Sequence, residues 1–548
     1  MTSAVQDSPD IRRVAALPRR EWSPEQAALL AERMTAALRT PGGTWRLRPV
    51  QAVALAELAQ GPGALLPIRV GGGKTLISLL AGTVTGARRP LLLLPAHLRE
   101  KTLREYSELR EHWRLPGYVR IESYQQLSTA ASARMLEEYA PDLIVADEAH
   151  YLKNPKAACT RRVRRYVEAQ EGAVRFVAMS GTITKRSIKD FSHLALWALH
   201  TGSPAPTHYR AIEEWSLALD AKVPEGRRLD PGALRALGRY RDRLTQTPGV
   251  VATQEAPLPI PLVLRGELLD IPPVCEAALG RLRETWETPD GHPIVDGIAA
   301  WRHAQELALG FYYRWNPRPP DWWLLPRKAW AGTCREILSS NRRNLDTEYQ
   351  VVLAVREGYY PHARDALEAW LGVRDRFEPN VEPVWLSDHA VNRIASWMAE
   401  GPGIVWTAHR ALGQRFGALY YGAEGLNSEG RPIEAHPPAV PLVASVAANG
   451  TGRNLQAWHR NLIASAPPSG STWEQLLGRT HREGQRAPEV TADVMFGCIE
   501  ALEGFWRAVD DAAYAEEVTG QAQKLTHADT DGVPDTAPTF GAQWQKGA

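Results

Sequence analysis

The chain has 548 residues, 44% of them apolar, and its 64 Lys and Arg against 62 Asp and Glu give a formal net charge of +2. This is enough apolar material for roughly three or four domains' worth of core, and too even a charge balance to announce a nucleic-acid partner by itself. No apolar run approaches the ~18 residues of a membrane span, residues 1–10 lack a secretory apolar core, and four scattered cysteines suggest neither a disulfide framework nor a zinc ribbon, so a soluble, cytoplasmic protein is expected.

Ser23-Pro24-Glu25-Gln26 reads as a helix start, with serine at the N-cap, proline at the first helical position and glutamine reaching back; the helix should run to about Leu38. Pro41-Gly42-Gly43 stops it. Then comes Leu47-Arg48-Pro49-Val50-Gln51. A glutamine amide can pair with the N6 donor and N7 acceptor of adenine together, which makes Gln51 a candidate base reader, with an ordinary surface glutamine as the alternative.

About twenty residues later an apolar run breaks into Gly71-Gly72-Gly73-Lys74-Thr75. Glycines without Cβ let successive backbone N–H groups turn inward around an anion, and a helix starting near Lys74 aims its positive dipole end at the same place. Lys74 would reach the β- and γ-phosphates, and the Thr75 hydroxyl would complete a Mg²⁺ shell. A nucleoside triphosphate site is expected.

Apolar runs at 90–95, 142–146 and 175–179 alternate with helical stretches, the pattern of strands buried on both faces in a parallel sheet. The run at 142–146 ends in Asp147-Glu148-Ala149-His150. Two adjacent acids can divide the work, Asp147 holding Mg²⁺ and Glu148 orienting or deprotonating a water. His150 has no His or Cys partner at ligand spacing and reads as no metal ligand. Arg161-Arg162-Val163-Arg164-Arg165 circles much of a helix and reads as a solvated face, with a nucleic-acid track as the sharper alternative.

A second set of runs at 403–407, 441–447, 461–465 and 490–496 suggests a second α/β lobe. Between the sets lies a Trp-rich segment, densest from Phe311 to Trp323 and followed by Arg327, Lys328 and Trp330. Such residues can stack bases and hold phosphates, though tryptophan in a helical insert is more often core. From about Thr519 the composition predicts a disordered tail.

Taken together, the phosphate loop and the Asp-Glu-Ala-His run resemble the superfamily 2 ATPases with a DEAH box, and most of all the Swi/Snf-type DNA translocases. Tyr151-Leu152-Lys153-Asn154 fits the run that follows the family's box, Leu47 to Gln51 its upstream adenine motif, Pro95-Ala96 its motif Ia, Glu122-Ser123-Tyr124 its motif Ib and Ser180-Gly181-Thr182 its motif III. Residues 449–455 resemble motif V, and Gln475-Leu476-Leu477-Gly478-Arg479-Thr480-His481-Arg482 begins a close likeness to motif VI. The motifs keep family order over about residues 45–486. Ile68 stands where general phosphate loops carry glycine, which suits the tighter form of this superfamily. Ile183-Thr184 and Arg453 depart from motifs III and V.

The resemblance implies two RecA-like P-loop lobes with a helical insertion: an N-terminal helical extension (1–44), a first lobe (45–200), a Trp-rich helical insertion (201–385), a second lobe (386–518) and a disordered tail (519–548). It implies ATP and Mg²⁺ as cofactors. Lys74, Glu148, Arg479 and Arg482 would be catalytic, Gln51, Gly71, Gly72, Gly73, Lys74, Thr75, Gly452 and Gln475 would bind ATP, Thr75 and Asp147 would hold the metal, and His150, Ser180 and Thr182 would couple the site to movement. Arg479 and Arg482, one helical turn apart, could face the γ-phosphate together. The implied function is an ATP-dependent motor on double-stranded DNA, with no membrane partner. The alternatives are a strand-separating DNA or RNA helicase, a nucleic-acid-binding module with a vestigial ATPase, and the motor of a phage replication or restriction and defence complex with protein partners.

Overall fold

The computed structural model describes residues 8–534, apart from 156, 185, 221–222, 224–233, 235–236, 254–258, 341–344, 346–347, 379, 422–432, 434–435 and 450–452. The chain divides into two compact units. The first comprises Met1–Pro259, Ser469–Gly478 and Ala508–His527, and the second Ile260–Pro468, Arg479–Arg507 and Ala528–Ala548.

In the first unit, β1 (Ala64–Leu66), β2 (Pro90–Leu94), β3 (Arg120–Ser123), β4 (Leu143–Asp147) and β5 (Arg175–Met179) form one sheet in the order β1-β5-β4-β2-β3, parallel at every pairing. The two-residue period of a strand explains why these runs are apolar throughout. Leu91, Leu93, Ile144, Ala146, Phe176 and Ala178 enter one core cluster, while Leu92, Leu94, Leu143, Val145, Val177 and Met179 enter another. Each fully buried Val, Leu, Ile, Phe or Met side chain contributes about 1.5–3 kcal/mol. The helix Pro24–Leu38 starts with the expected Ser23–Gln26 capping box and sends Ala31 and Leu38 into the second cluster.

The second unit holds β6 (Leu262–Leu268), β9 (Ile404–Thr407), β10 (Leu442–Ser445), β11 (Arg460–Ile463), β12 (Val490–Phe496) and β13 (Asp529–Asp531) in a sheet ordered β10-β9-β11-β12-β6-β13, again parallel throughout. The antiparallel pair β7 (Phe311–Trp315) and β8 (Val381–Trp385) accompanies the helices Asp321–Ser339, Glu348–Arg356 and Arg364–Arg374. Both sheets are flanked by helices, so the α/β class stands. Among the described residues no helix is long and apolar enough to cross a membrane.

Two boundaries differ from the sequence expectation. Residues 262–268, placed in a helical insertion, form β6, whose Leu262 and Leu264 are buried while Arg265 and the residues after it are more open. Part of the expected tail is ordered: Lys524–His527 is a helix, and the fully exposed β13 completes the sheet edge against β6. Main-chain pairing alone holds such an edge, so its Asp-Thr-Asp sequence carries no apolar signal. Residues 535–548 lie outside the described residues.

Candidate nucleotide site

All strands of the first sheet run the same way, so their carboxyl ends share one edge. In open α/β sheets that edge is where ligands bind. β1 leads into the glycine loop, its neighbour β5 into Ser180, and the next strand β4 into Asp147-Glu148. Ser180 N–H donates to Leu66 O at 3.2 Å, tying the end of β5 to that of β1.

The loop turns through left-handed backbone at Gly71 (φ +86°) and Gly73 (φ +75°), and Gly73 caps the helix Lys74–Thr85. A Cβ on Gly73 would lie 2.1 Å from Gln51 Nε2, so both dihedral and space demand glycine. Among the described residues the backbone N–H groups of Gly71, Gly73, Lys74 and Thr75 have no protein acceptor. These free donors and the helix N-terminus form an anion cradle. Lys74 is 9% exposed, and its ammonium bonds Ile68 O at 3.1 Å and Arg69 O at 3.3 Å.

Gln51, expected to read a base, is 4% exposed and already engaged. Its Nε2 donates to Gly73 O at 3.2 Å, its Oε1 accepts from Arg48 N at 2.8 Å, and Arg48 Nη1 donates to Gly71 O at 2.9 Å. The motif therefore braces the glycine loop; reading adenine would require both amide bonds to be surrendered. Gln51→Ala is expected to weaken ATP and GTP binding to the same degree, about 5–10-fold, the worth of one or two hydrogen bonds. Equilibrium binding of both nucleotides checks this, and a loss confined to ATP would restore the base-reading role.

At the end of β4, Asp147 Oδ1 accepts from Glu148 N at 3.1 Å, and Tyr124 Oη donates to Asp147 O at 2.7 Å while stacking on Tyr151. Burial, and then the adjacent Glu148 carboxylate, push the Asp147 carboxyl up to about 7 against the pull of Lys74. Burial would also raise Glu148, but Lys74 and hydrogen bonds from His150 and Ser180 outweigh it and lower Glu148 to about 2. Glu148 is thus ionised and Asp147 only partly ionised at neutral pH, and a divalent cation beside Asp147 would favour its second negative charge.

A sign follows for stability. With its folded value above its unfolded value of 3.8, Asp147 costs nothing well below pH 3.8 and progressively more as pH rises from there toward 7. Asp147→Asn keeps the Glu148 N–H acceptor and removes that cost. Chelator-treated Asp147→Asn is expected to melt about 2–4 °C above the parent at pH 8, with a clearly smaller gain near pH 4.5. A variant less stable than the parent at pH 8 contradicts the buried-charge account.

Glu148 sits in left-handed backbone (φ +53°), a conformation of the kind that costs a non-glycine residue about 1–3 kcal/mol and collects at functional sites. Its carboxylate is held in place. Ser180 Oγ donates to Glu148 Oε2 at 3.2 Å, Thr182 N donates to Ser180 Oγ at 3.1 Å, and His150 Nδ1 lies 3.1 Å from Ser180 Oγ, 3.4 Å from Thr182 Oγ1 and 3.4 Å from Glu148 Oε2. Serine has one proton and gives it to Glu148, so His150 Nδ1 must carry a proton and donate. His150, Ser180 and Thr182 are thereby joined to Glu148 in one network. Gly181 seats against the loop, where a Cβ would approach Val70 N to 3.1 Å.

One acid escaped the sequence reading. Glu105, on the helix Arg99–His112, hydrogen-bonds the Thr75 side chain and faces Asp147 closely enough to raise its pKa. Its own carboxyl is raised by burial, against the pull of Lys101. The only signal was a Glu four residues after Lys101 in a charged helix, which reads as a surface ion pair. A hydroxyl donating to Glu105 keeps its lone pairs for a metal. Thr75, Asp147 and the loop amides fit Mg²⁺ and a triphosphate, the donor set being hard oxygen and backbone N–H.

The remaining predicted residues are placed as follows. Gln475 lies in the first unit on the helix Gly470–Leu477, and a Cβ on Gly478 just after it would come within 3.3 Å of Val70 Cγ1. Arg479 and Arg482 lie in the second unit. They are not one turn apart on a helix: the helix stops at Leu477 with Gly478 as its C-cap. The arginines occupy the following turn, which is fixed by Asn461 Nδ2 to Thr480 Oγ1 at 3.1 Å and by His481 Nε2 against Ile260 O at 2.7 Å. Both guanidinium groups nevertheless converge, Arg479 Nη1 at 3.0 Å and Arg482 Nη1 at 3.3 Å from Arg453 O, and Arg482 also bonds Asn454. Gly452 lies outside the described residues.

In the basic cluster, Arg162 donates to Leu127 O and Thr129 O, and Arg165 pairs with Glu137, so half of that face is tied into the fold. Among the described residues there is no group of three or more His, Cys, Asp or Glu that could hold a metal ion. No family model and no curated protein matches the chain.

Proposed function

We propose that this chain is an ATP-driven motor on nucleic acid, built from two RecA-like lobes, with double-stranded DNA as its track. One observation supports the reading above the others: a free-amide glycine loop, an Asp-Glu pair and a hydroxyl–histidine network on the second acid lie together on one edge of a parallel sheet. A phosphate site alone needs only the loop. An oriented carboxylate beside it suits hydrolysis.

In this reading the loop amides and Lys74 bind the β- and γ-phosphates, and Thr75 and Asp147 hold Mg²⁺, which would neutralise phosphate charge. Glu148, fixed by Ser180 and His150, takes the proton of the attacking water. The same network runs through Ser180 and Thr182 at the end of β5, so a shift at the γ-phosphate is transmitted along that strand's end. Arg479 and Arg482 supply positive charge to the transition state, and their dependence on a second lobe couples hydrolysis to cleft closure. Stepping uses phosphate contacts rather than base readout, so track binding should be sequence-tolerant and should weaken steeply with salt. The choice of duplex DNA rests on resemblance to the Swi/Snf-type motors.

ATP turnover with no polymer, single-stranded DNA, duplex DNA and RNA tests the track. Duplex DNA is expected to stimulate most, with displacement of a third strand from a triplex and no separation of the duplex. Stimulation by single strands or RNA alone, with duplex unwinding, would replace this reading by the helicase alternative.

A further inference from the structure

The Trp-rich segment is only partly core. Trp323, Trp330 and Trp370 are buried together with Val351, Leu367 and their neighbours, as tryptophan in a helical layer usually is. Trp315, Trp323 and Trp370 also wall a cavity of about 880 Å³, ample for a ligand of nucleotide size, with Tyr349 half-exposed at its edge.

Arg327 stands in that wall. Its guanidinium carbon lies 5.1, 5.5 and 5.5 Å from the ring centres of Trp315, Trp323 and Trp370, and Nε is buried without a partner. Nη1 and Nη2 have no protein acceptor among the described residues and, unlike Nε, are not fully buried, and Arg327 lines the cavity. Three indole faces thus hold a planar fork whose free edge offers two parallel donors. A fork so placed suits a ligand edge with two adjacent acceptors.

The same cavity offers an acceptor. Glu348 Oε1 takes the Trp330 Nε1 proton at 2.7 Å, and Oε2 has no protein donor among the described residues. Arg356 is exposed at the rim and is paired with no acid among the described residues, whereas Arg374 is bonded to Asp375 at 2.8 Å. Flat apolar walls, a donor pair, a carboxylate and an outer cation together describe one class of ligand. Guanine presents O6 and N7 acceptors on one edge and N1–H and N2–H₂ donors beside them. Adenine puts an amino group where O6 would be, directly against the arginine.

We propose that this cavity is a second nucleotide site that selects guanine: the base stacks on the exposed Tyr349 beside the edge of Trp315, Arg327 takes its O6/N7 edge, Glu348 accepts from its N1/N2 edge and Arg356 meets the phosphate. The occupant is a guanine nucleotide, free or as an unpaired residue of a strand. The site is carried by its own residues and stands whether or not the glycine loop binds ATP.

The test is equilibrium binding of radiolabelled GMP, AMP and CMP, and of single-stranded dG- and dA-containing oligonucleotides, to the full chain carrying Lys74→Ala to silence the glycine loop. GMP is expected to bind roughly tenfold or more tightly than AMP or CMP. Arg327→Lys and Glu348→Gln should each cut GMP affinity about tenfold, and the exposed Arg356→Ala should weaken GMP but not guanosine. A tighter dG oligonucleotide than GMP assigns the site to a strand, and the reverse order assigns it to a free nucleotide. Equal affinity for GMP, AMP and CMP, no binding of any probe, or GMP affinity unchanged in Arg356→Ala and in variants melting with the parent would overturn it. ATP turnover by Arg356→Ala in the Lys74 parent should remain intact, which separates failure here from failure of the ATPase reading.

Discussion

Replacing Glu148 with glutamine is expected to lower ATP turnover by about 10³ while leaving the dissociation constant for Mg-ATP within about threefold. The magnitude is that of a lost general base, typically 10²–10⁴. Glutamine suits the comparison because it has the size of glutamate and retains an oxygen for the Ser180 hydroxyl, which donates to Oε2 at 3.2 Å. It cannot accept a proton. The left-handed backbone at this position is the same for both residues, so the strain of φ +53° is unchanged. Single-turnover hydrolysis separates the chemical step from binding. Turnover within threefold of the parent would mean that the network positions the β4 terminus and has no chemical role.

Converting Arg479 or Arg482 to lysine is expected to cost about 10²–10³ in turnover with little change in nucleotide affinity. An inserted arginine of this kind is worth about 10³ to 10⁵ in phosphoryl transfer, and lysine retains the charge while losing the planar fork. Lysine is also the gentler probe. Arg479 is 3% exposed and shares Arg453 O with Arg482, so an ammonium can still satisfy that carbonyl, whereas alanine would leave a buried gap. If both lysine variants turn over within threefold of the parent, the arginines serve to hold the 453–454 turn. That outcome would leave the two arginines with no part in the proposed hydrolysis.

Much of this site was legible because it is written in local patterns. The glycine run needs no tertiary information: Gly71 and Gly73 adopt the left-handed backbone that their lack of Cβ permits, and the helix begins at Lys74. The apolar runs at 90–95, 142–146 and 175–179 became β2, β4 and β5 within a residue or so, since strands covered on both faces are apolar at every position. Ser180 and Thr182 were located through resemblance, and their bonds to Glu148 and His150 depend on β5 lying beside β4, which no local pattern states.

What stayed hidden shares a different cause. Glu105 pairs with Lys101 at 3.7 Å on its own helix, the one contact that spacing alone could suggest, and only folding of that helix against the loop brings it to Thr75. Gln51 had the composition of a base reader, but the close approach of the loop, 2.1 Å from a Cβ on Gly73, consumes its amide. β6 and β13 belong to a sheet whose other strands lie 130 or more residues from β6 in one direction or at the far end of the chain, so neither had a local partner to reveal it. Three-residue spacing suggests a helix face for the two arginines but cannot show that Gly478 ends the helix before them.

The most direct test of the central claim is the rate of phosphate release from ATP by the purified full chain, with Mg²⁺ and saturating duplex DNA, beside Glu148→Gln under the same conditions. The account predicts turnover that needs Mg²⁺, rises severalfold or more with duplex DNA and falls about 10³-fold in the variant. Turnover that survives intact in Glu148→Gln, or none in the parent with any polymer while its glycine loop binds Mg-ATP, would contradict it.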